Sequence, residues 1–160
     1  MAVDMFLKIS GVEGESVDSA HAREIDVLSW GWGMNQSGTT HVGRGGGAGK
    51  VSVQDLTITK RVDKSTPALI KSCCTGKHFE EAVFTVRKAG EKPLEYLILR
   101  MKDVLVTNVT EGGAGGEELL SETITLNFSE FNYVYVPQKR DGGPDGKVEH
   151  AFNIATNSEM

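Results

Sequence analysis

The chain has 160 residues, of which 39% are hydrophobic and 24% charged, with a formal net charge of −5. That is enough apolar surface for one core and too much for a disordered chain, so a single domain over residues 1–160 is expected. No lysine or arginine run exceeds two, which removes the positive stripe a nucleic-acid partner needs. No apolar stretch approaches the roughly 18 residues of a membrane-spanning helix.

The N-terminal segment MAVDMFLKIS lacks a basic-then-apolar leader, so the expected place of synthesis is the cytoplasm, with no signal peptide. Val3, Met5, Leu7 and Ile9 alternate with Asp4 and Lys8, the period of a half-buried strand. Phe6 interrupts its polar face. Ile25 and Val27 give way to Leu28, Trp30 and Trp32, and Val51 and Val53 give way to Leu56 and Ile58. Each switch of parity predicts a bulge or sharp bend, because a one-residue slip turns every later side chain to the other face.

One helix is predicted, over about residues 66–75. Ser65 and Thr66 are capping types, Pro67 suits the first helical position and Gly76 suits the C-terminal cap. Ala68, Leu69 and Ile70, with Cys73 and Cys74 a turn later, offer a face to lay on a sheet. Further strands are predicted at Ala82–Lys88, turning through Ala89 and Gly90, and at Leu94–Val106. The latter is apolar on both parities around Tyr96 to Leu99 and therefore needs cover on both faces. Ile124, Leu126 and Phe128 alternate with Thr123, Thr125, Asn127 and Ser129, and a last strand at Phe131–Val136 stops at Pro137. The expectation is seven or eight strands and one short helix, a mainly β fold built as a barrel or two packed antiparallel sheets.

Glycine is the compositional outlier. Nineteen occur, about 12% against a usual ~7%. Eight lie between Gly31 and Gly49, four between Gly112 and Gly116, and three between Gly142 and Gly146. The segment GRGGGAGK, Gly43 to Lys50, fails the phosphate-loop pattern twice, with Arg44 where glycine and Val51 where serine or threonine must stand. A strand pattern also follows it instead of the helix whose N-terminus would face the anion.

Other chemistry is equally sparse. His21 with Glu24, and His78 with Glu80 and Glu81, match no metal-ligand spacing and are expected as surface histidines, and no metal is expected. The adjacent Cys73 and Cys74 read as small buried residues of the helix, and Glu80-Glu81 and Glu117-Glu118 as solubilising charge. Trp30 and Trp32, two apart, offer a stacking platform for a ligand, a piece of core, or a subunit interface. No cofactor and no catalytic constellation are expected.

The strings REIDVLSWGWGMNQSG (Arg23 to Gly38), KVSVQDLTITKRVDKSTPALIKSCCTGKHF (Lys50 to Phe79), RKAG (Arg87 to Gly90) and LLSETITLNFSEFNYVYVPQK (Leu119 to Lys139), in that order after MAVDMFLKI, resemble Hcp. Hcp is the haemolysin-coregulated protein family of bacterial type VI secretion, and the resemblance covers nearly the whole chain. It implies a barrel of two packed sheets with one flanking helix and an extended glycine-rich loop. It further implies homohexameric rings stacked into a tube, expelled by a contractile sheath together with a VgrG-like spike into a target cell or the medium, with small effector proteins carried in the lumen. No reaction is implied. In the same frame Met34, Gln36, His41, Arg44, Gly45, Gly46 and Gly47 belong to the loop that reaches neighbouring subunits, and Trp30, Gly31 and Trp32 lie near the lumen wall. Phe6 and the doubly apolar strand would then be covered by a neighbouring subunit. The C-terminus at Met160 implies no fused toxin domain. The alternative is a monomeric ligand-binding barrel that uses Trp30 and Trp32 as its platform.

Overall fold

The structure, a computed structural model, describes residues 2–38 and 49–160. Among these the chain forms β1 (Val3–Ile9), β2 (Ile25–Gly31), β3 (Met34–Asn35), β4 (Ser52–Val53), β5 (Leu56–Arg61), α1 (Thr66–Thr75), β6 (His78–Lys88), β7 (Leu94–Gly112), β8 (Ser121–Asn127), β9 (Glu130–Tyr135), β10 (Val148–Asn153) and β11 (Ser158–Glu159). The mainly β fold and the single helix agree with the sequence reading. The strand count exceeds it, because the short β3, β4 and β11 and the weakly alternating β10 carry little pattern of their own.

The barrel closes because β7 is long enough to serve two partners along one edge. One edge of β7 pairs with β6, from Lys88 opposite Leu94 to His78 opposite Leu105. Along the other, residues 97–102 pair with β9 and residues 105–112 with β8. The handover falls at Asp103, whose φ is 55°, opposite the Phe128-Ser129 step, where the Ser129 N–H donates to the Lys102 carbonyl at 3.0 Å. Since β8 also pairs with β5, the order β6-β1-β2-β5-β8-β7 returns to β6 as a six-stranded barrel, and β9, β10 and β11 continue outward from β7.

Period-two alternation fills the interior. Leu7, Ile9, Leu56, Ile58, Phe84, Leu99, Met101, Ile124 and Leu126 are at most 2% exposed. The predicted bulge in β2 is present, as a register shift between Val27 and Ser29 against β5. The second parity switch is a break between β4 and β5 at Gln54 and Asp55.

Helix α1 has the predicted bounds, with Gly76 left-handed at φ 73° and its N–H donating to the Ser72 carbonyl at 2.8 Å. Two expectations there are corrected. Ser65 precedes the helix without a capping side-chain bond, because its hydroxyl donates to Asp63 instead. The buried face consists of Thr66, Leu69 and Ser72, while Ile70 is 40% exposed and both cysteines are exposed free thiols. Leu69 and Ser72, three apart, share one side of the helix, and the cysteines fall outside it.

Phe6 gives a third correction. A continuous outward row crosses the sheet from Phe6 through Thr85 and Ile98 to Val134. Phe6 and Thr85 are 4% and 3% exposed within this one chain. The cover over Phe6 is intramolecular: the His21 ring stacks on it at 4.3 Å and the Arg87 guanidinium lies 5.0 Å from its centroid.

Candidate functional site

The segment between β1 and β2 is a strap folded onto this outward row. Its base is a close backbone approach: a Cβ on Gly14 would lie 2.4 Å from the Glu24 carbonyl oxygen, so only glycine fits. Asp18 anchors the strap, accepting from Ala20 N–H at 2.9 Å and His21 N–H at 3.2 Å, and pairing with Arg87 at 2.5 and 3.0 Å. Arg87 also reaches Asp4 at 3.1 Å. These bonds hold the Asp18 carboxyl well below the usual carboxylate range and push the Arg87 guanidinium further up, against burial that works the other way. His21 is 8% exposed, with Glu24 at 2.9 Å from one ring nitrogen and Glu95 at 2.6 Å from the other. The expected surface histidine is therefore a buried clamp. The spacing to Glu24 is visible in the sequence, whereas Glu95, 74 positions away, has no local signal.

The opposite outside of the barrel, across β2, β5, β8 and β7, is chemically different. Register places Ser29, Thr59, Thr123 and Thr110 in one row and Gly31, Thr57, Thr125 and Asn108 in the next. All are half-buried or exposed, and none is ionisable. Alternation accounts for this arrangement, since the same strands send Ile58, Ile124 and Leu126 inward. Gly31 faces open space, with nothing within 4 Å of a Cβ placed there.

Trp30 and Trp32 flank Gly31 but turn toward other rings. Trp30, 36% exposed, packs on the core ring of Phe84 at 5.0 Å. Trp32 follows the end of β2, donates its indole N–H to the Gln54 carbonyl at 2.9 Å and packs among Phe128, Phe131 and Tyr133. The two indoles thus have separate partners rather than a shared open face. Met34 sits in the β3–β4 ribbon opposite Val53 and is 46% exposed; Gln36 is exposed. The other loop positions singled out in the sequence, His41, Arg44, Gly45, Gly46 and Gly47, lie outside the described residues.

Buried charge is the feature the sequence reading passed over. Lys60 is fully buried and Glu122 2% exposed, and they pair across β5 and β8. A signal was present. Lys60 continues the inward parity of Leu56 and Ile58, and Glu122 precedes Ile124 and Leu126 in the same phase. Among the described residues no group of three or more His, Cys, Asp or Glu side chains is placed to hold a metal ion. An open groove of about 320 Å³ on the outside of β7, β9 and β10 is lined by Glu81, Arg100, Lys102, Glu130, Phe131 and Asn132, with Ala151 and Met160. Its charges are mixed and its lining holds no imidazole or thiol. Exposed Cys73 and Cys74 stand apart on α1.

Comparison with known proteins agrees with this architecture. The family described as type VI secretion system effector, Hcp, matches residues 6–135. The chain is 57% identical over 159 residues to protein hcp1 of Pseudomonas aeruginosa, covering 98% of each. Among solved structures it is similar to Hcp1 from Salmonella typhimurium, at 37% identity and a TM-score of 0.81 with full coverage of both chains. It is also similar to a structure described as a type six secretion system protein, at 28% identity and a TM-score of 0.93 over 99% of this chain and 100% of that one.

Proposed function

The chain belongs to the Hcp family of type VI secretion, and on that premise we propose that it is the tube subunit: six copies close into a ring, rings stack, and the bore carries small effector proteins. Secretion by the same system, together with a sheath and a VgrG-like spike, follows from this reading. The protein acts by assembly and transport, not by catalysis.

One observation carries the proposal furthest: the two uncharged rows across β2, β5, β8 and β7, which lie between Arg61 on one side and Asp55 on the other. A conduit wall must let a polypeptide pass without holding it. Ion pairs formed away from bulk water are slow to part, whereas neutral hydroxyls exchange hydrogen bonds with water and cargo at little net cost. A two-row neutral face on a chain of net charge −5 fits a wall of that kind, with Gly31 at the β2 end of one row. Closing a ring requires two different surfaces on each copy to complement each other. The exposed Met34 of the β3–β4 ribbon, with Gln36 and the glycine-rich segment through His41, Arg44 and Gly45 to Gly47, supplies one candidate surface for neighbouring copies.

The test is direct. Electron microscopy of the purified chain is expected to show hollow six-fold rings, with a solution mass near six times 17.3 kDa. Isolated globular particles at high protein concentration overturn it. Deleting Gly45 to Gly47 is expected to leave rings intact and impair tube growth, read by filament length under the same microscope. The monomeric ligand-binding alternative is weakened by the tryptophans, whose rings already pack on Phe84 and on Phe128, Phe131 and Tyr133.

A further inference from the structure

Where the barrel meets helix α1, three ionisable side chains stand in one cross-strand row, with Lys60 and Glu122 buried and Glu111 exposed at its β7 end. Lys60 stands opposite Glu122, and Glu122 opposite Glu111. The Glu122 Oε1 atom accepts from the Lys60 ammonium and from the Thr66 hydroxyl, the latter at 2.7 Å. Lys60 spends its remaining donors on the Asp63 carboxylate at 3.0 Å and the Arg61 carbonyl at 2.9 Å. The second Glu122 oxygen, Oε2, is buried and has no donor among the described residues.

A buried acceptor without a donor is costly, and native folds rarely leave one. The neighbour across the sheet is Glu111, a carboxyl that can donate only when protonated. A metal ion would also satisfy the orphan oxygen, but among the described residues no group of three or more His, Cys, Asp or Glu side chains converges to hold one. A proton fits where a metal ion does not.

We propose that Glu111 and Glu122 share one proton, which makes the α1 end of the barrel a lock that tightens as the medium is acidified. The shared hydrogen bond ties β7 to β8 at the place where β8 is already tied to β5 and to the first turn of α1. The hydrogen bond to Glu122 pushes the Glu111 carboxyl up, with desolvation and the Glu122 charge adding to it and Lys60 opposing. The charged groups facing the pair are Lys60 from β5 and Asp63 from the turn before α1; α1 itself contributes the Thr66 hydroxyl. Because the folded chain holds a proton that the unfolded chain releases, stability grows as pH falls through the raised value and is complete at the ordinary glutamate range. At higher pH the three carboxylates of Glu111, Glu122 and Asp63 face one ammonium and the gain is lost.

The test compares thermal unfolding of the wild-type chain and Glu111→Gln, which keeps the donor at every pH, from about pH 8 to about pH 5. The variant is expected to melt higher at the alkaline end and the two curves to converge at the acid end. Carboxyl-carbon NMR of the wild type is expected to show Glu111 taking up its proton above the ordinary glutamate range, with the Glu122 carbon signal moving in the same step. Parallel melting curves, or Glu111 titrating alone in the ordinary range, overturn the proposal. The NMR titration needs no variant, so it decides the question even if the substitution disturbs folding.

Discussion

The two outsides of the barrel follow opposite rules. Across β1, β6, β7 and β9 the outward row is Phe6, Thr85, Ile98 and Val134, and the chain lays a strap over its Phe6 end, fixed by Asp18 to Arg87 and by His21 to Glu24 and Glu95. Across β2, β5, β8 and β7 the two outward rows short of Arg61 are hydroxyls, an amide and a glycine, and the side chains lie half-buried or open. An apolar row needs cover, because each buried aromatic ring contributes several kcal/mol only if water is kept off it. A hydroxyl row is already satisfied by water. The chain therefore covers for itself the end of the face that would otherwise be sticky and leaves open the one whose hydroxyls water already satisfies.

Breaking the strapped side should cost most. Phe6→Ala removes a ring packed between His21 and Arg87, and a loss of about 3 kcal/mol is expected, measured by urea unfolding. An effect below about 1 kcal/mol would mean that the strap does not depend on the ring it covers. Arg87→Met keeps the stem over Phe6 but loses the pairs to Asp18 and Asp4. About 1–2 kcal/mol is expected, with faster proteolysis between Gly11 and Arg23 as the local sign. Asp18 adds a pH signature. Its carboxyl is held low by the Arg87 bonds, so its contribution is full above the ordinary aspartate range and drains as pH falls below it. Asp18→Asn is expected to flatten the acid limb of the melting curve and leave the neutral region less stable than wild type. An unchanged acid limb would put the strap's anchor elsewhere.

The sequence carried much of this unevenly. Local pattern was enough for the helix at Thr66–Thr75 and for the even-parity core of β8, because capping residues and period-two alternation act over a few positions. It was also enough to place Lys60 and Glu122 inward, had the phase been followed through the charged residues. A barrel was one of two arrangements expected, but the way it closes was not legible, since that depends on β7 changing partner at Asp103, a non-local event. The cover over Phe6 was assigned to a neighbouring subunit for the same reason: His21 and Arg87 lie 15 and 81 positions away in sequence, and only register brings them together. The cysteines were misread because hydrophobic type was weighed above helical phase.

The smallest effect is expected at the β2 end of the open side. Gly31 has ordinary extended backbone and open space where a side chain would project, and glycine within a strand costs conformational entropy without packing in return. Gly31→Thr would extend the row of Thr57 and Thr125 with a residue that favours strands. Stability is expected to stay level or rise by about 0.5 kcal/mol, read as a slightly higher melting temperature. A loss beyond about 1 kcal/mol would show that this face is pressed against something within the folded chain, and the contrast between a strapped and an open side would fail. A stable Gly31→Thr chain would show that the fold itself makes no demand for a small residue here, and on the proposed reading reduced passage of effector by that variant would place the demand on the passing polypeptide.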